Sequence, residues 1–237
     1  MMDKLDKPLS PFFIAIIPFY AAFFIGLFLF PVARDWGWLQ AWLLITAFGI
    51  ILGIGYYLIN KENPRVLRNR MKIKKQGLTS VTRKSAGSDR FIMPIISITF
   101  FASLLLPSLG RRFGWQEMPL WLTIVGLLIT SAGNIIVLMA MYQNAHASKL
   151  LDINQDQMLI DTGLYGRVRH PLYAGAIFMV LGIPISLGSY WGIIPAVIAC
   201  ITLVWRIKFE EEMLIKGMDS YAQYRQRVKY KLFPGIY

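Results

Sequence analysis

Cysteine is nearly missing from this sequence: Cys200 stands alone among 237 residues. That excludes a disulfide framework and a cysteine-based metal cluster. Cys200 lies inside an apolar run and reads as a small packing residue. Histidine is almost as scarce, with only His146 and His170. None of the usual metal-ligand spacings occurs, so no metal is expected. Charge is short as well, at 16% of residues, where soluble domains carry about 25%. There is no internal repeat and no low-complexity tract.

What fills the space is apolar. Hydrophobic residues make up 56% of the chain, and the mean hydropathy is +0.50. Four runs carry no Asp, Glu, Lys or Arg: Phe12–Phe30, Leu39–Asn60, Phe91–Leu109 and Leu120–Tyr142. Each is long enough to cross a hydrocarbon core of about 30 Å as a helix. The flank of the first run mixes Asp3, Lys4, Asp6 and Lys7 and lacks a small-residue cleavage site, so it does not read as a cleavable signal. A fifth apolar region, Leu172–Trp205, would be about 50 Å long as a single helix, too long for one crossing. Pro184 and Gly188-Ser189 supply a break. The expectation is a helical hairpin with arms Leu172–Leu187 and Tyr190–Trp205. The predicted fold is therefore all-α and polytopic, with about six transmembrane helices, the last two forming the hairpin.

Charge orients this arrangement. With six spans, only Arg34, Arg111 and Arg112 fall on one side, leaving 22 of the 25 Lys and Arg on the other. The positive-inside rule makes the rich side, and both termini, cytoplasmic. Six of the seven tryptophans (Trp36, Trp38, Trp42, Trp115, Trp121, Trp191) then lie near the outer interface, as an aromatic belt does. The net charge of +12 is accounted for by this sorting. No recognisable nucleic-acid module accompanies it, so no nucleic-acid partner is expected. The basic loop 61–90 holds ten Lys and Arg and reads as a topology signal beside anionic headgroups. Residues 1–143 form an N-terminal helical region and 144–237 a second region of the same structural unit. The expected location is a bacterial-type inner membrane.

Three polar clusters follow the fourth run. In the first, Arg169-His170-Pro171 precedes an apolar run, with proline suited to a helix's first turn. The free amides there would face the cytoplasm and suit an anionic group. In the second, Arg206 and Glu210 are four residues apart and share a helical face. Ionisable side chains at the edge of a span are a functional-site hypothesis by default, the alternative being an ordinary i,i+4 pair on a solvated juxtamembrane helix. In the third, Tyr221, Tyr224 and Val228 precede Leu232-Phe233-Pro234-Gly235, a pattern that fits an amphipathic helix at the interface. A hairpin between the first two clusters returns the chain to the face it left, so that they meet.

In order, Asp161-Thr162-Gly163-Leu164-Tyr165, Arg169-His170-Pro171-Leu172-Tyr173-Ala174-Gly175, Arg206 with Glu210-Glu211, and the Tyr221 to Gly235 ending resemble the membrane methyltransferases related to isoprenylcysteine carboxyl methyltransferase and the bacterial phospholipid methyltransferases. The resemblance covers about Asn144 to Tyr237. Leu164 stands where the family often has proline, and Met218-Asp219 where it usually reads Phe-Gly.

The resemblance implies S-adenosylmethionine as cofactor. It implies cofactor contacts at Met158, Leu159, Ile160, Tyr165, His170, Pro171, Leu172, Tyr173 and Glu210, with Arg206 facing the acceptor. Arg206 and Glu210 are the implied catalytic pair. The implied partners are the bilayer and a lipophilic acceptor: a prenylated cysteine carboxylate, a lipid headgroup amine or another lipophile. An NADPH-binding reductase resembling sterol reductases is the alternative enzyme. A small transporter or lipid-binding scaffold is the alternative outside enzymes.

Overall fold

A computed structural model describes residues 7–69, 89–115, 117–144 and 159–237. Met158, His146 and most of the basic loop lie outside these residues. Seven helices with defined bounds are α1 Pro11–Ala33, α2 Leu39–Glu62, α3 Asp89–Phe113, α4 Leu120–Gln143, α5 Pro171–Ser186, α6 Ile193–Gly217 and α7 Asp219–Arg227. Residues 64–69 are helical as well. The architecture is all-helical among the described residues, apart from an isolated bridge between Glu117 and Ser189.

By length and composition α1 to α4 qualify as membrane spans, and α5 is a shorter apolar helix. At 16 residues, α5 is about 24 Å long. The apolar surface of α1 fits a lipid solvent: Phe12, Phe19, Tyr20 and Phe23 are all more than two-thirds exposed. Ser10 caps α1 by accepting a hydrogen bond from the Phe13 amide at 3.2 Å, with Pro11 at the first helical position.

The fifth apolar region folds back on itself between the two expected arms. α5 runs through Pro184, which is fully buried, and stops at Ser186. The turn comes at Gly188, whose φ of +75° favours glycine. The returning helix α6 starts at Ile193 and continues past Trp205 to Gly217, so that the Arg206 cluster is helical throughout.

α5 is pressed most closely against α4. A Cβ on Gly126 would lie 2.3 Å from the Ser186 amide nitrogen. One on Gly182 would lie 2.6 Å from the Thr130 nitrogen, and one on Gly133 2.4 Å from the Met179 nitrogen. These pairs run antiparallel, and small residues let the backbones touch, which is how helices associate where lipid supplies no hydrophobic drive. α6 packs on α3, and α1 packs on α2 and α3.

The links between α3 and α4 and between α5 and α6 meet at one end of the bundle, where the Met118 amide donates to the Gly188 carbonyl at 2.8 Å. Arg111 adds ion pairs to Asp35 at 2.9 Å and Glu117 at 2.7 Å there. The opposite end carries His170, Arg206 and the tail, and is called the basic end below.

Candidate functional site

At the basic end the chain before α5 and the tail are stitched together. The Arg169 amide donates to the Tyr230 carbonyl at 3.0 Å and the His170 amide to Lys231 at 2.8 Å. The two polar segments meet, as the hairpin requires. His170 then serves as the α5 N-cap residue, with Pro171 in the first turn and Tyr173 half a turn on.

Tyr173 joins the two arms. Its hydroxyl donates to the Glu210 carboxylate and accepts from Arg206 Nη1. The Arg206 guanidinium carbon also stands 5.8 Å from the centre of the Tyr173 ring. Arg206 and Glu210, one turn apart on α6, thus meet through a tyrosine of α5. Beyond them, Asp89 at the start of α3 takes Arg206 Nε and Nη2 on its two oxygens, each at 3.0 Å. Asp89 and Arg206 are both buried.

Glu211 faces a different set of partners. Arg169 Nε donates to its Oε1 at 2.6 Å, His170 Nε2 lies 3.3 Å from the same oxygen, and Lys231 Nζ lies 3.6 Å from Oε2. Arg169 Nη1 is further satisfied by the carbonyls of Val228 at 2.7 Å and Lys229 at 2.8 Å. Burial alone would raise the Glu211 pKa, but the hydrogen bonds and charges of His170 and Arg169 outweigh it and hold the carboxyl down to about 2. Glu210, in contrast, keeps 24% of its side chain exposed, and its Oε1 stands 4.0 Å from His170 Nδ1.

The third cluster does not lie open to the lipid interface. Tyr221, Tyr224 and Val228 are buried together, covered by Leu159, Leu214 and Met218. The Tyr224 hydroxyl donates to the Tyr165 carbonyl at 2.7 Å, which anchors the segment before α5 onto α7. Arg227 pairs with Asp161 across the same seam. The Tyr221 hydroxyl is buried with no partner among the described protein groups. Burial raises its pKa, with the nearby Glu211 carboxylate adding to the effect. An orphaned buried hydroxyl of this kind calls for an explanation.

The structure therefore brings together Tyr173, His170, Arg206 and Glu210, with Pro171 and Leu172 in the same turn. Tyr165 and Leu159 lie in the adjoining layer under α7. Asp89 was missed by sequence reasoning. Its signal was present, since it is the one acidic residue between Glu62 and Glu117, at the end of a basic loop and the start of an apolar run. Glu211, treated there only as a neighbour of Glu210, is the more deeply buried of the two.

Residues 121–220 match the phospholipid methyltransferase family. Two curated relatives are protein-S-isoprenylcysteine O-methyltransferases. That of Schizosaccharomyces pombe is 35% identical over 81 residues, covering 32% of this chain and 33% of the relative. That of Saccharomyces cerevisiae is 24% identical over 195 residues, covering 78% of this chain and 76% of the relative. The chain thus aligns with about a third of the first relative's length. A solved structure of the eukaryotic intramembrane Ras methyltransferase, isoprenylcysteine carboxyl methyltransferase, aligns with a TM-score of 0.49 at 19% identity, covering 95% of this chain and 84% of that one. The chain is an integral membrane protein resembling the isoprenylcysteine carboxyl methyltransferases and phospholipid methyltransferases, and the matched region is the one that holds Tyr173, Arg206 and Glu210.

Proposed function

We propose that the protein transfers a methyl group from S-adenosylmethionine to the carboxylate of a lipophilic, membrane-embedded acceptor such as a prenylated cysteine. The observation that carries this reading is the Arg206–Tyr173–Glu210 cluster at the mouth of the α5–α6 hairpin, inside the region that matches methyltransferases.

The residues present fit the donor. S-adenosylmethionine is a zwitterion with a flat base, hydroxyls and an already activated sulfonium methyl. A partly exposed carboxylate, Glu210, suits its polar hydrogen donors. The orphaned hydroxyl of Tyr221 supplies a buried hydrogen-bonding group beside a charged network. The rings of Tyr173 and Tyr165 offer faces for cation–π contact. When bound, the cofactor supplies an electrophilic methyl that needs no metal. His170, Pro171, Leu172 and Leu159 complete the donor side in this proposal, together with Met158 and Ile160 from the segment before α5, and Arg206 lies on the acceptor side. What the protein contributes is alignment of acceptor and methyl, which supplies up to roughly 7–11 kcal/mol.

The proposed topology has six spans, counting both hairpin arms, with termini and site on the cytoplasmic side. The distribution of Lys and Arg supports it. The acceptor then enters from the bilayer at the level of Arg206.

Calorimetric titration of the purified protein in detergent with S-adenosylhomocysteine, and separately with NADPH, tests the donor. Binding of the first, lost in Glu210→Ala, is expected, and tight binding of NADPH alone overturns the reading. A second reading, N-methylation of a phospholipid amine, is favoured by the name of the matching family. Turnover on phosphatidylethanolamine vesicles with none on a prenylated cysteine would select it.

A further inference from the structure

The proposed function sets Arg206 against the acceptor, and the structure shows what already holds it. Asp89, at the start of α3 and 117 residues away in sequence, takes the Nε and Nη2 edge of the guanidinium on its two oxygens. This is the fork-to-fork geometry that fixes an arginine in plane. Nη1 points to the Tyr173 hydroxyl. An acceptor carboxylate therefore reaches Arg206 beside Tyr173 and not along the edge that Asp89 covers.

The charge matters as much as the geometry. In methylation of a carboxylate, an acceptor oxygen forms the new C–O bond with its own lone pair. The electron pair of the broken C–S bond stays with the donor's sulfur, and no proton moves. The acceptor's negative charge is greatest before reaction and is being lost in the transition state. A strong, uncompensated cation would stabilise the bound acid more than the transition state, which tightens binding and slows turnover.

We propose that Asp89 is a positioning and specificity-determining residue: it fixes the plane of Arg206 and tempers its charge, so that the acceptor acid is oriented without being trapped. This deepens the proposed carboxyl methyl transfer and rests on it. The placement supports the assignment. The pair is buried, where a charge acts over a lower dielectric than at the surface. It bridges α3 and α6, and the same arginine touches the tyrosine that binds Glu210.

The test compares a farnesylated N-acetyl-cysteine with its methyl ester, titrated into the full chain in detergent with S-adenosylhomocysteine present. Both ligands read the same preparation, so a partly unfolded sample leaves their affinity ratio unmoved. Asp89→Asn is expected to raise the acid-to-ester affinity ratio by about tenfold, while Asp89→Glu keeps the wild-type ratio. In turnover, Asp89→Asn lowers KM for the acid and lowers kcat with it, a split that a merely structural role would not produce. An unchanged ratio, or an acid that binds more weakly, overturns the proposal.

Should Asp89→Asn fail to fold, the comparison moves to Arg206→Gln with and without Asp89→Asn. With the guanidinium gone Asp89 has nothing to orient or temper, so the acid-to-ester ratio is expected to be the same with and without Asp89→Asn. A gain there, which would show Asp89 acting on the acid directly, overturns the proposal. Wild-type protein that methylates no carboxylate refutes the proposed function itself, a result distinct from either.

Discussion

Gly133 of α4 and Gly175 of α5 cross so closely that a Cβ on Gly133 would stand 2.6 Å from the Gly175 carbonyl oxygen. The contact explains why α5, short for a span, is held firmly: its backbone lies directly on that of α4. It also aims the start of α5, and therefore His170 and Tyr173, at the basic end.

Gly133→Ala is expected to lower the thermal midpoint in detergent clearly, because the added methyl meets backbone that cannot yield. Overpacking of this kind costs about 1–3 kcal/mol. Gly49→Ala on α2 is the control. A Cβ there meets nothing within 4 Å, and the helical propensity gain of roughly 0.5–1 kcal/mol makes it neutral or stabilising. Equal midpoints for the two variants would refute the close-packed seam.

Glu210 and Glu211 are expected to fail differently. Glu211→Gln leaves the Arg169 guanidinium buried with the charge of its carboxylate partner gone, and breaking a buried pair costs about 3–5 kcal/mol. Glu210→Gln removes a partly exposed acid and leaves the stability within about 1 kcal/mol of wild type, while weakening S-adenosylhomocysteine binding. Denaturation and titration of both variants check this. Loss of stability in Glu210→Gln with none in Glu211→Gln would reverse the assignment.

Acid should expose the same carboxylate. Glu211 is held down to about 2 from an ordinary 4.5, so its contribution is fully present above about pH 4.5 and is lost as the pH falls toward 2. The depression corresponds to stability on the order of 3 kcal/mol. Midpoints measured from pH 7 to pH 3 should converge for wild type and Glu211→Gln. Curves that stay parallel across that range would show that the pair contributes nothing.

Tyr221→Phe separates ligand binding from folding. The hydroxyl makes no hydrogen bond to the described protein groups, so its removal should leave the unliganded protein as stable or slightly more so. If the donor pairs with it, S-adenosylhomocysteine affinity falls by about threefold to tenfold, the value of one ordinary hydrogen bond. Unchanged affinity would remove Tyr221 from the site.

The spans were legible because the bilayer demands a length and an absence of charge, and Phe12–Phe30 or Leu120–Tyr142 meet both without reference to any partner. The meeting of His170 with Glu210 and Glu211 was legible through the hairpin, a consequence of length alone. The turn was legible too, because a reversal needs a residue such as Gly188 that takes a positive φ, whereas Pro184 costs a helix one amide, which α5 tolerates near its end. The partner of Asp89 was hidden because pairing across 117 residues leaves no local periodicity. The burial of Tyr221 and Tyr224 was hidden for a related reason. Their cover comes from Leu159, Leu214 and Met218, and a polar helix with a few aromatics reads the same whether lipid or protein lies over it.

The bridge between Met118 and Gly188 ties together the two links at the end of the bundle remote from the site. One link joins α3 to α4 and the other joins α5 to α6, so α4 with α5 and α3 with α6 form two arms fastened at a common pivot. Tyr173 rides on the first arm, and Asp89, Arg206 and Glu210 ride on the second. At the far tips both hydrogen bonds of the Tyr173 hydroxyl cross from one arm to the other. The tips close like a clasp, on that phenol and on the Arg169–Glu211 pair beside it.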